Sequence, residues 1–163
     1  MNIQLKVLKQ LLPNKNNFIA FADIKETAKA NNVPFPKFKK MVEVEGTKNK
    51  VKQELKQKAY KYINKNPIID TIEFFGGEQW GERYKALLAG GKRKGFTEGS
   101  VPTVNGVAGW SVVTEAQLQK AIDEIFDSVT RGKYKLDMYL HALENAKTIK
   151  EIEAIAWEDK RSK

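Results

Sequence analysis

The sequence predicts an α+β protein, mostly α, in which an N-terminal helical module is followed by a unit with one β-hairpin and about three helices. Three observations predict it. Apolar residues recur at helical spacing through much of the 163 residues. Asn105-Gly106 stands between two valine-rich runs, the strongest short-range hairpin signal in the chain. Charge divides the chain. Residues 1–66 hold 15 lysines against 5 acidic residues, 67–113 are balanced at five and five, and 114–163 hold nine basic and ten acidic residues. The whole net charge of +9 therefore belongs to the first segment, which marks a basic module over 1–66 and a second unit over 67–163.

Ile3, Leu5, Val7, Leu8, Leu11 and Leu12 predict a first helix that Pro13 and Asn14 stop. Asn14–Asn17 reads as a polar turn, and Phe18–Phe21 as a short strand or the lead-in to a helix. Asp23 and Glu26 have capping-box spacing at the start of a helix that ends near Asn31-Asn32. Pro34 and Pro36 suit the first turn of another helix, which Phe38, Met41 and Val42 continue to about Val44. Gly46-Thr47 is expected to break the chain. A lysine-rich helix then runs from Thr47 to Asn64, with Val51, Leu55, Ala59, Tyr62 and Ile63 at helical spacing.

In the second unit, Ile68–Phe75 has strand composition and Gly76-Gly77 is a turn. Glu78–Ala89 reads as a helix with Trp80, Tyr84, Leu87 and Leu88 on its apolar side, closed by Gly90-Gly91. Lys92–Ser100 is a basic, glycine-rich loop. Val101–Val104 and Val107–Val113 form the hairpin. Thr114-x-x-Gln117 caps a helix that Arg131-Gly132 separates from a second one, Tyr134–Ala146. Thr148-x-x-Glu151 caps a last helix that turns Ile149, Ile152, Ile155, Ala156 and Trp157 inward, and Asp159–Lys163 is a free tail.

Composition excludes several classes of function. Without cysteine there are no disulfides, thiolate zinc sites or cysteine nucleophiles, which fits a reducing compartment. No run of about 18 apolar residues predicts a membrane span, and Met1–Pro13 lacks a signal-peptide pattern. A cytoplasmic protein is expected, in the host cytosol if the source is viral. His141 is the single histidine, at an inward or flanking helical position, so any Ser-His-Asp triad would have to use it. Asp70, Glu73, Glu78 and Glu82, with Lys85, are the carboxylates a magnesium-dependent nuclease would draw on, but their spacing does not separate them from solvated charges. The basic loop does not follow the phosphate-loop order, because Lys92 is followed by Arg93. The reading is non-catalytic, with no cofactor and no metal site.

Asp23–Val42 carries the most information. Ile24 starts the buried side of one helix, Ala28 is a small residue midway along it, Asn32 is a turn residue four places later, Val33 follows, and Phe38 and Met41 lie on the inner face of the next helix. This spacing resembles the helix-turn-helix superfamily of DNA-binding proteins, with Asn32 in place of the usual glycine. Asn tolerates the left-handed backbone such a turn requires. The resemblance implies a second helix that turns Lys37, Lys39 and Lys40 toward DNA. Lysine is a point charge suited to phosphate, so modest sequence specificity is expected. Lys48, Lys52 and Lys56 would add backbone contacts, and Lys92, Arg93 and Lys94, beside the hairpin, would follow the phosphates as a wing.

The expected function is DNA binding, duplex favoured over RNA, as a regulator or an accessory factor of replication or packaging from a phage or mobile element. Its rivals are an inhibitor or adaptor docking on an acidic protein surface, and a basic virion component. The neutral C-terminal helices are expected to supply core or a homodimer contact, with Tyr139 and Trp157 as the residues of interest.

Overall fold

The computed structural model describes residues 21–92 and 98–158, and only the backbone of residues 21–24. The expected first helix, the turn at Asn14–Asn17, the run beginning at Phe18, Arg93, Lys94 and the tail lie outside these residues, as does the side chain of Ile24. The described chain is α+β and mostly helical, as the sequence predicts. Its elements are α1 (Phe21–Ala30), α2 (Phe35–Ile63), β1 (Ile68–Ile69), β2 (Ile72–Glu73), α3 (Glu78–Lys92), β3 (Glu98–Val107), β4 (Trp110–Thr114), α4 (Glu115–Asn145) and α5 (Ile149–Glu153). No helix among the described residues is long and apolar enough to cross a membrane.

Two compact units divide the chain. One comprises Met1–Leu55 with Tyr139–Lys163, the other Lys56–Met138.

In the first unit α1 ends in a Schellman motif. The Val33 amide donates to the Ala28 carbonyl (3.0 Å) and the Asn32 amide to that of Lys29 (3.2 Å), while Asn32 takes φ +53°. Ala28, Val33 and Phe38 are buried together, with Phe35, Met41 and Val42 packed against them. Helix α1 is already formed at Phe21, so Asp23 lies inside it and does not cap it. At the other end of the chain Thr148 and Glu151 form the expected capping box. Helix α5 nevertheless stops at Glu153, short of Ile155 and Ala156. Trp157 is buried and its ring lies 5.7 Å from that of Tyr139, whose hydroxyl accepts from the Glu158 amide. Trp157 is thus covered by its own chain, which is the core alternative of the two expected for it.

The expected break at Gly46-Thr47 does not occur. Helix α2 runs through both residues. A glycine inside a helix costs about 1 kcal/mol relative to alanine, too little to end one that is stabilised on both sides. Thr47 satisfies its hydroxyl within the helix by donating to the Glu43 carbonyl (2.8 Å).

In the second unit Ile69, Phe74, Tyr84, Leu88, Val101, Val113, Leu118, Ile122, Ile125 and Val129 form one core. Leu87, expected on the apolar side of α3, is exposed. The Tyr84 hydroxyl donates to the Pro102 carbonyl (2.7 Å) and accepts from the Phe75 amide (3.1 Å), tying α3 to β3 and to the segment after β2. Gly90-Gly91 does not close α3, which reaches Lys92. Arg131-Gly132 does not divide α4 either. Gly132 is a packing site: a Cβ there would lie 2.5 Å from Ile63 Cγ1 and 3.1 Å from Tyr62 Cδ1. The capping box of Thr114 and Gln117 is present, with Thr114 N donating to Gln117 Oε1 (3.0 Å) and Gln117 N to Thr114 Oγ1 (3.2 Å).

The strand expected over Ile68–Phe75 is a tight hairpin. β1 and β2 pair antiparallel around Asp70 and Thr71, both at positive φ (+47° and +73°), the pattern of a type I′ turn. The larger hairpin is also displaced from its expected turn. Its chain reverses at Ala108-Gly109 (φ +50° and +81°), with Val107 opposite Trp110. Asn105-Gly106 falls in an irregular stretch of β3, where the register shifts between Pro102 and Val107. A side chain at position 106 would meet Thr103 Oγ1 and the Trp110 carbonyl, each 2.3 Å away, so only glycine fits.

Candidate nucleic-acid interface

Helix α2 carries nine lysines and three glutamates, a net +6. Its apolar residues decide where those charges point. At about 100° per residue, Phe38, Met41 and Val42 share the side that packs on α1. Pro36, Lys39, Lys40 and Glu43 then fall on the opposite, exposed side, and Lys37 lies exposed on one flank. The burial of Ala28, Val33 and Phe38 around the Asn32 turn therefore fixes the outward position of the three lysines.

Lys39 and Glu43 approach to 3.9 Å, both about half-exposed. Such surface pairs contribute at most about 1 kcal/mol and are screened by salt, so the pair does not hold Lys39 in place. Lys50, three helical turns from Lys39, is exposed on the same side. A break at Gly46 would have left the two halves of the helix without a common register. Continuity alone supplies that register.

The other expected residues divide. Lys48 is half-buried, and its Nζ donates to the Glu144 carbonyl (3.1 Å) in the last turn of α4. There it satisfies an orphan carbonyl and complements the negative end of the helix dipole. This contact ties Lys48 to the end of α4 while its ammonium keeps its charge. Lys52 is exposed in the same unit, and Lys56 is exposed in the other. Lys92 closes α3 in that second unit and pairs with Glu115 at 3.0 Å.

The carboxylates considered for metal chemistry are each engaged separately. Asp70 accepts from Gln117 Nε2 (3.2 Å), Glu73 from Asn66 Nδ2 (2.9 Å) and Glu78 from Lys133 Nζ (2.7 Å), while Glu82 faces Lys85 at 4.0 Å. No group of three or more metal-ligating side chains occurs among the described residues. His141 is exposed rather than inward or flanking, with the Asn145 amide beside its Nε2 (3.3 Å).

No family model matches the chain. No curated protein and no solved structure matches it either.

Proposed function

We propose that this protein binds duplex DNA through the exposed lysines at the N-terminal half of α2, namely Lys37, Lys39 and Lys40, extended by Lys50 and Lys52. One observation carries the reading. The α1 turn, with Asn32 in the left-handed region and Val33 beneath it, packs Phe38 against Ala28 and leaves those lysines facing solvent. Lysine ammonium groups attract phosphates as point charges, and counterion release supplies affinity that does not depend on sequence. No arginine lies on α2 to read a guanine bidentately. The reading is therefore of strong salt dependence and modest base specificity, as in a regulator or an accessory factor of replication or packaging acting in the cytosol. Lys92, with Arg93 and Lys94, is kept as an auxiliary phosphate contact.

Fluorescence anisotropy with labelled duplex, over a series of salt concentrations, tests it. The wild type should bind, with affinity falling linearly on a log–log plot against salt. The Lys37→Ala/Lys39→Ala/Lys40→Ala variant should bind more weakly, and its salt slope should be smaller by about 1 for each lysine that meets a phosphate. Absence of binding by the wild type at low salt sinks the reading. It would direct attention to an acidic protein surface as the partner of the same lysines.

A further inference from the structure

Asn105-Gly106 is the one place in the chain where glycine follows asparagine. Such a pair carries covalent chemistry of its own. The Gly106 nitrogen attacks Asn105 Cγ and closes a five-membered succinimide. The Cγ–Nδ2 bond breaks, and the amide nitrogen leaves as ammonia with the proton of the Gly106 amide. Water then opens the ring at either carbonyl. The products are aspartate and isoaspartate, in which the main chain runs through the former side chain. Glycine favours the attack because it sets no side chain beside the attacking nitrogen.

The fold decides when that attack can occur. Asn105 Cγ has to swing toward the Gly106 nitrogen, but both atoms of its amide are held by the β1–β2 hairpin. Nδ2 donates to the Thr71 carbonyl and Oδ1 accepts from the Glu73 amide, each at 2.8 Å. Asn105 is itself exposed, so water reaches it whenever this clamp opens. Once converted, the residue does not return to its place. A carboxylate has no donor for the Thr71 carbonyl, and its charge joins those of Asp70 and Glu73 on the hairpin it faces. Isoaspartate lengthens the main chain by one carbon where the packing is already close, with Thr103 Oγ1 and the Trp110 carbonyl each 2.3 Å from a Cβ built on Gly106.

We propose that Asn105 is a latent deamidation site, kept shut in the folded chain by its bonds to Thr71 and Glu73, and that its conversion irreversibly marks molecules in which this clamp has opened. The proposal is independent of DNA binding. The full-length protein is incubated at mildly alkaline pH, folded in one sample and unfolded in guanidinium chloride in another, and then digested with trypsin. Cleavage after Lys94 and Lys120 leaves a peptide whose only asparagine is Asn105, and mass spectrometry reads the change from amide to acid there. Conversion should be at least about tenfold slower in the folded sample, because the clamp has to open first. Glu73→Pro removes the amide that holds Oδ1, one that points out of the β1–β2 ladder, and should speed conversion in the folded chain. Asn105→Asp, one of the two products made directly, should unfold at a lower denaturant concentration than the wild type. Equal conversion in the folded and unfolded samples overturns the proposal. So does a folded Glu73→Pro protein that converts no faster than the wild type, or an Asn105→Asp protein as stable as the wild type.

Discussion

The side chain of Asn105 holds the backbone of Thr71 from a strand 34 residues away: Nδ2 donates to the Thr71 carbonyl at 2.8 Å. Its Oδ1 accepts from the Glu73 amide, also at 2.8 Å, so one amide group spans the turn between β1 and β2. Thr71 is β-branched and sits at φ +73°, a conformation that costs such a residue about 1–2 kcal/mol. The clamp keeps the turn closed against that cost. Asn105→Ala should remove about 1–2 kcal/mol of stability and lower the thermal midpoint by a few degrees. Thr71→Gly, which relieves the strain at the position where a type I′ turn favours glycine, should act in the opposite direction by up to about 1 kcal/mol. Calorimetry of the two variants checks both signs, and a stable Asn105→Ala protein would show that the clamp contributes nothing.

Gly46 and Gly132 lie within the two long helices and should respond oppositely to alanine. Around Gly46 nothing lies within 4 Å of an added Cβ, so Gly46→Ala should gain close to the full helix-propensity difference of about 1 kcal/mol. At Gly132 the same atom lies 2.5 Å from Ile63 Cγ1. Overpacking costs typically about 1–3 kcal/mol, so Gly132→Ala should be destabilised in spite of its better propensity. Urea unfolding midpoints compare the two directly.

The turn between α1 and α2 depends on the left-handed backbone of Asn32. Asn32→Gly should preserve it within a few tenths of a kcal/mol, whereas Asn32→Val, β-branched at φ +53°, should lose about 1–2 kcal/mol. Hydrogen exchange of the Val33 amide, which donates to Ala28, reads this locally. Equal protection in the wild type and the valine variant would refute the account.

The Glu151 carboxylate accepts from the backbone amides of Lys147 (2.7 Å) and Thr148 (3.1 Å), which hold its pKa below the usual glutamate range. A lowered folded-state pKa means that the unfolded chain takes up the proton first as the pH falls. The resulting stability is present above the unfolded value, about 4.3, and is lost as the pH drops through the folded one. The thermal midpoint of the wild type should therefore fall in this acid range more steeply than that of Glu151→Gln. Parallel pH profiles for the two proteins would rule out the contribution.

Local chemistry made much of this legible in the sequence. The turn at Asn32, the buried Ala28, Val33 and Phe38, and the capping boxes at Thr114 and Thr148 each depend on residues within ten positions of one another. The exposed lysines of α2 were legible for the same reason, because the apolar residues of that helix fix which way they point. Tertiary structure decided the rest. Gly46 and Gly132 resemble helix breakers, but propensity carries about 1 kcal/mol and packing carries more. Asn105-Gly106 resembles a hairpin turn, yet the Asn105 amide is drawn to Thr71 and Glu73, and the reversal moves to Ala108-Gly109. Lys48 resembles its neighbours in sequence, but it is half-buried and its Nζ donates to the Glu144 carbonyl, 96 residues away. At Gly132, Asn105 and Lys48 the outcome rests on a partner distant along the chain, and a one-dimensional pattern of residues does not reveal which distant groups will meet.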